Sequence, residues 1–144
     1  SNIKKLEIDK KIREIVKRKE KKILGICLGM QILFESSEEG IVEGLCILSG
    51  KVKKIYPYIK YRTNFGWNKI ISKNNKYLNG KHFYFAHSYY VDTKVNLNTA
   101  YSVINNFKLI SFIKKNNIYG VQFHPEKSSY AGLEFISNFL NNKL

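Results

Sequence analysis

The chain has little sulfur, few acidic residues and no long apolar run. Its two cysteines, Cys27 and Cys46, are too few for a disulfide framework, and their different settings suggest two unrelated jobs rather than a pair. No stretch approaches the ~18 apolar residues that a membrane-spanning helix needs, and the first residues lack the basic-then-apolar pattern of a secretory signal. A cytosolic protein is expected, with no metal site and no cofactor. Against 11 Asp and Glu stand 25 Lys and Arg, for a formal net charge of +14. A nucleic-acid surface is one reading of that excess. The lysines are scattered among asparagines, isoleucines and tyrosines, with no RNA-binding or helix-turn-helix motif, which favours a drift in composition; neither nucleic acid nor membrane is expected as a partner. Repeats and linker-like stretches are also lacking. What is present, 144 residues with 44% hydrophobic content, suffices for one domain with a real core over 1–144. The sequence opens Ser1-Asn2-Ile3 without a methionine, so it reads as a fragment or a processed or split product.

Apolar positions Ile8, Ile12, Ile15 and Val16 recur at helical spacing, with Asp9 as the expected N-cap and the basic run Lys17 to Lys22 as a solvated helix end. Next comes Ile23-Leu24-Gly25-Ile26-Cys27, a short apolar strand without alternation, as suits a strand buried on both faces of a parallel sheet. A helix is expected from about Gly29 to Glu35. The order helix, strand, helix points to an α/β class. Beyond the loop Ser36 to Gly40 the texture turns β-rich. Strands are expected at Cys46 to Leu48, Lys51 to Ile55, Trp67 to Ile71, Lys81 to Val91, Thr99 to Ile104, Leu109 to Ile113 and Ile118 to Phe123. The chain closes with a helix capped by Ser129, whose buried face is expected to be Leu133, Ile136, Phe139 and Leu140.

Chemistry concentrates in Gly25-Ile26-Cys27-Leu28-Gly29-Met30-Gln31. A strand-to-helix elbow strains the residue at its tip, and crowding there favours residues without bulk two positions before and after, where Gly25 and Gly29 stand. The following helix N-terminus would lower the thiol pKa from about 8.5, and the Leu28 backbone N–H would face the oxygen of an attacked carbonyl. A buried structural cysteine between two packing glycines is the competing reading. A nucleophilic cysteine needs a base, and His124 is the best placed of three histidines, at the end of the strand in Gly120-Val121-Gln122-Phe123-His124-Pro125-Glu126. Glu126 would orient its imidazole. His87, in an aromatic-rich strand, reads as a satisfied core or site-wall histidine, and His82 as surface. Trp67 reads as either core or contact.

These residues resemble a known family. Gly25 to Gln31, Phe34-Glu35 with Ser37 to Gly40, Gly66-Trp67-Asn68, Tyr84-Phe85 with His87-Ser88-Tyr89, and Gln122 to Ser128 are similar, in this order, to the motifs of the class I (triad) glutamine amidotransferases, and within them to the glutaminase subunits of imidazole glycerol phosphate synthase. The resemblance implies a flavodoxin-like three-layer fold with a central mixed, mostly parallel sheet and a small antiparallel sheet. It implies that Cys27, His124 and Glu126 form a triad that hydrolyses L-glutamine through a thioester, with Leu28 and Gly29 at the oxyanion. Gln31, Glu39, Ser88 and Tyr89 match the glutamine pocket. Trp67, Tyr84 and Lys127 match positions facing a (β/α)8-barrel cyclase subunit, the partner in a heterodimer, to which ammonia is passed. Two departures stand out. Thr63-Asn64-Phe65 replaces a proline-histidine-methionine, which leaves open a paralogue feeding ammonia to a sugar amidotransferase, and Cys46 replaces a glycine and is read as a packing variant. The family's front strands and the glycine-rich loop carrying a second oxyanion donor would precede Ser1. The piece alone is therefore expected to be a weak glutaminase, and a non-catalytic scaffolding remnant is the alternative from another class.

Overall fold

The computed structural model describes residues 7–40, 42–59, 62–95 and 97–144. Helix α1 spans Ile8–Arg18, as the spacing predicts, but it starts at a left-handed Glu7, not at a capping Asp9. Asp9 lies inside the first turn, where its charge faces the positive helix end. Strand β1 (Ile23–Ile26) leads into the four-residue helix α2 (Leu28–Gln31), shorter than expected. Cys46 to Leu48 is not a strand. Cys46 takes φ +51°, which breaks an extended run, and the N–H groups of Cys46, Ile47 and Leu48 donate to the carbonyls of Phe34 and Leu33, closing the turns that follow α2. The left-handed φ explains why a glycine suits position 46; the side chain is exposed and is no packing variant.

One sheet runs β1-β10-β9-β8, built from β8 (Asn98–Ile104), β9 (Phe107–Lys115) and β10 (Ile118–Val121) beside β1. It is mixed. β1 and β10 are parallel, with Ile26 opposite Val121, whereas β8, β9 and β10 are antiparallel. The two-residue turns Asn105-Asn106 and Asn116-Asn117, in which Asn105, Asn106 and Asn116 are left-handed, force the latter pairing, because turns this short join only antiparallel neighbours. A second sheet runs β3-β2-β4-β7, from β2 (Ser36–Ser37), β3 (Val42–Glu43), β4 (Lys51–Lys54) and β7 (Tyr89–Asp92). A two-stranded ribbon pairs β5 (Asn64–Lys69) with β6 (His82–His87), and Ser88 interrupts what reads in sequence as a single strand. Among the described residues no helix is long and apolar enough to cross a membrane.

Among the described strands β10 is the one buried throughout, and it divides the core. Tyr119 and Val121 join Phe83, Phe85, Phe112, Phe123 and Phe135 in one cluster; Ile118 joins Met30, Phe34, Val52, Val91 and Ile113 in another. Gly120 has no side chain because a Cβ would lie 2.8 Å from Met30 Cγ and from Ile113 Cγ1, so α2 settles directly on the strand. Strand β1, expected to be buried on both faces, buries Gly25 alone and pairs only with β10 among the described residues. The closing helix α3 (Ser129–Leu140) is rotated from the expected face. It buries Gly132, Phe135 and Asn138, with Ile136 and Phe139 partly covered, and leaves Leu133 70% and Leu140 67% exposed. Gly132 sets the rotation: a Cβ there would stand 1.9 Å from the Pro125 carbonyl oxygen, so this is the side that docks. Ser128, not Ser129, precedes the helix, and its hydroxyl is engaged elsewhere.

Candidate active site

Cys27 stands at the elbow between β1 and α2 with φ +50° and ψ −107°, a conformation an L residue holds only where its surroundings enforce it. Two contacts do so. The Cys27 N–H donates to the Val121 carbonyl at 2.7 Å, extending the β1–β10 pairing by one residue, and the Cys27 carbonyl accepts from Met30 and Gln31 as α2 begins. Gly25 makes the turn possible, since a Cβ on it would lie 2.4 Å from the Gly29 carbonyl oxygen. Gly29 itself is not crowded: a Cβ there meets nothing within 4 Å among the described residues, so the expectation of crowding on both sides holds for Gly25 alone.

The thiol is not depressed. Half-burial pushes the Cys27 pKa above its ordinary value and the charges of Glu39 and Glu126 add to that, while the Leu28 backbone N–H and the Gln122 carboxamide pull the other way. A single helical turn has too small a dipole to reverse the desolvation. At neutral pH the sulfur is protonated and needs a base.

Cys27 comes directly after β1 and His124 three residues after β10, so parallel pairing carries both toward the same end of adjacent strands. Its Nδ1 and Glu126 Oε1 are 2.7 Å apart, which leaves Nε2 as the free nitrogen. Burial alone would push the Glu126 carboxyl up, but its hydrogen bond to His124 and the charges of His124 and Lys127 hold it below its ordinary value. The His124 backbone is clamped to the ribbon. Its N–H donates to the Tyr84 carbonyl at 2.9 Å, and Ser128 Oγ donates to the His124 carbonyl at 2.6 Å while accepting the Tyr84 N–H at 3.0 Å.

A cleft of about 410 Å³ opens beside the cysteine, within the ordinary size range for a small-molecule site. It brings together Cys27, Leu28, Gln31, Glu39, Ser88 and Tyr89, all singled out from sequence. Thr63, Phe65, Ala86 and His87 line it as well. Gln31 is 5% exposed, and its carboxamide braces the wall by donating to the Tyr89 carbonyl and to Gln122 Oε1. The atypical Thr63-Asn64-Phe65 lies on the cleft, with Thr63 Oγ1 2.9 Å from Ser88 Oγ and Asn64 Nδ2 2.9 Å from His87 Nε2. On the ribbon's outer face Phe65 and Trp67 pack edge-on against Tyr84, with Lys127 Nζ 6.0 Å from the Tyr84 ring centre. Phe65 is 73% and Trp67 52% exposed, so Trp67 belongs to a surface patch and not to the core. Gln122 has no role of its own legible in the sequence, although it lies in the same motif as His124; its place between the cysteine and Gln31 is a cross-strand relation that no local pattern reveals.

His87 is buried and satisfied by Asn64 and the Tyr89 carbonyl, and burial lowers its pKa from 6.5 to about 4. The unfolded chain therefore takes up this proton at a higher pH than the folded one. Stability is full above about 6.5 and is lost as pH falls toward 4, by on the order of 3 kcal/mol. Urea titrations across this range will show the loss in the wild type and a much smaller slope in His87→Phe.

The sequence model of the glutamine amidotransferase class-I family matches residues 2–143. Among curated relatives, the imidazole glycerol phosphate synthase subunit HisH of Trichodesmium erythraeum (strain IMS101) is 45% identical over 130 residues, which cover 84% of this chain and 60% of that protein. HisH of Nitrosomonas europaea is 41% identical, covering 92% and 69%, and HisH 2 of Methanococcus maripaludis is 37% identical, covering 97% and 72%. The chain thus spans about 60 to 72% of the length of these relatives. A glutamine amidotransferase crystal structure superposes on 97% of the chain with a TM-score of 0.71 at 14% identity, and one from Thermotoga maritima on 93% with a TM-score of 0.58 at 18% identity. At those identities the superpositions speak for the fold.

Proposed function

The chain belongs to the class I glutamine amidotransferase family, and from that premise we propose that it is the glutaminase part of an imidazole glycerol phosphate synthase, acting in histidine biosynthesis. The observation that carries this reading is the arrival of the Cys27 elbow and the His124–Glu126 pair at one end of two parallel strands, beside a cleft lined by Gln31, Glu39, Ser88 and Tyr89.

In this reading L-glutamine lies in the cleft with its side-chain amide over Cys27. Glu126 holds Nδ1–H, so Nε2 of His124 takes the thiol proton as sulfur attacks the amide carbon. The Leu28 N–H, which bonds to the sulfur in the resting site, is in this reading the donor that turns to the oxygen as it becomes negative. The imidazolium returns the proton to the leaving nitrogen, the C–N bond breaks and ammonia departs, leaving a glutamyl thioester. Water, deprotonated by His124, cleaves the thioester to glutamate and the free thiol. The patch of exposed Phe65 and Trp67 packed on half-buried Tyr84 beside Lys127 suits a partner interface, proposed to be the face of a (β/α)8-barrel cyclase subunit in a cytoplasmic heterodimer. Tyr84 belongs both to that patch and to the clamp on His124, so docking and the catalytic base share one residue.

Reconstitution with a barrel cyclase and amide-¹⁵N glutamine tests this. The label is expected in the imidazole product. Hydrolysis that ignores the cyclase and leaves its product unlabelled would point instead to another ammonia acceptor, such as a sugar amidotransferase, the reading kept open by Thr63-Asn64-Phe65.

A further inference from the structure

The polar groups behind the cleft form a connected set whose directions are fixed by one atom, the Tyr89 carbonyl oxygen. A carbonyl only accepts, and two side chains aim at it. His87 Nδ1, 2.7 Å away, must carry a proton. Its ring is buried and neutral, so Nε2 is an acceptor and Asn64 turns its amide nitrogen to it, which leaves Asn64 Oδ1 for the Asn68 amide at 2.8 Å. On the other side Gln31 Nε2 points at the same carbonyl at 3.2 Å and therefore also presents N–H to Gln122, whose Oε1 accepts at 2.9 Å. With Oε1 committed, Gln122 turns its own nitrogen to Cys27 Sγ, 3.5 Å away. Gln122 is wholly buried and has no freedom to choose otherwise.

We propose that Gln122 is a positioning residue for Cys27, held with its carboxamide N–H on the sulfur by a hydrogen-bond series that starts at the Tyr89 carbonyl and passes through Gln31. This rests on Cys27 being the nucleophile. The N–H stabilises the thiolate more than the thiol, because a hydrogen bond to a charged acceptor is the stronger. Other groups act on the sulfur from around it: Glu39 and Glu126 oppose its ionisation, the Leu28 N–H favours it, neutral His87 and Tyr89 line the cleft, and His124 stands ready as the base. Among these, Gln122 is the side-chain donor on the sulfur. It also explains why a buried pair of carboxamides sits between β10 and α2, where two apolar side chains would pack at less risk of an unmet polar atom.

The test is the pH profile of alkylation by iodoacetamide, resolved peptide by peptide so that exposed Cys46 serves as internal reference. Gln122→Met keeps the volume and removes the donor. Its Cys27 midpoint is expected to rise by about one pH unit, so that alkylation at pH 7 slows roughly tenfold, with the Cys46 profile unmoved. In glutamine turnover the same variant is expected to lower kcat with little change in KM. Gln31→Met, which frees Gln122 to turn, is expected to shift Cys27 in the same direction, and it decides the matter should Gln122→Met fail to fold. A Cys27 midpoint equal to wild type in the folded variant overturns the proposal. Turnover that persists after complete alkylation of Cys27 would instead remove Cys27 as nucleophile, and the two failures are thus distinguishable.

Discussion

Replacing Cys27 with alanine is expected to abolish glutamine hydrolysis, with a fall on the order of 10⁴-fold or more in kcat, while the protein stays folded. The size follows from what is lost: among the described residues no second thiol lines the cleft, and only binding and the Leu28 N–H remain to favour the transition state. The fold should survive because Cys27 contributes backbone contacts to its elbow, to Val121, Met30 and Gln31, and its side chain is not part of either large core cluster. Alanine carries the same strain at φ +50° as cysteine does. Glutamate release, measured beside circular dichroism, checks both halves.

His124→Ala is expected to cost about 10³-fold or more at neutral pH, with a signature in its pH dependence. Half-burial and the neighbouring carboxylates Glu39 and Glu126 keep the thiol protonated, so the variant has no group to ionise it. Raising the pH through and beyond the ordinary thiol range should restore part of the rate, as hydroxide takes over the deprotonation. Wild type gains far less over the same range. If the loss were pH-independent, His124 would act on the leaving group alone, and the raised Cys27 pKa would have no bearing on the rate.

Much of the site was legible in the sequence because its residues are local to recognisable elbows. Gly25-Ile26-Cys27 shows a strand meeting a turn, and His124-Pro125-Glu126 shows a carboxylate two residues beyond a histidine; both relations survive in the structure as a left-handed φ and a 2.7 Å contact, although β10 stops at Val121, short of the expected Phe123 and well before Pro125. What was not legible depends on distance in the chain. The Cys27 pKa follows from burial by segments far away in sequence, so reasoning from the helix N-terminus alone gave the wrong sign. The rotation of α3 follows from one close approach between Gly132 and the Pro125 carbonyl, which hydrophobic spacing does not encode. Cys46 to Leu48 has the composition of a strand, yet its amides are spent on the carbonyls of Leu33 and Phe34. The Gln31–Gln122 pair joins positions 91 residues apart.

The central claim, that Cys27 becomes covalently bonded to the carbon of a glutamine side-chain amide, is tested most directly by trapping. The chain, mixed with a barrel cyclase, is treated with a diazo-ketone analogue of glutamine, digested and analysed by mass spectrometry. One adduct per chain is predicted, on the peptide containing Cys27, lost when excess glutamine protects the cleft and absent in His124→Ala at neutral pH. Labelling of Cys46, or of no residue while glutamine is being turned over, would contradict the account.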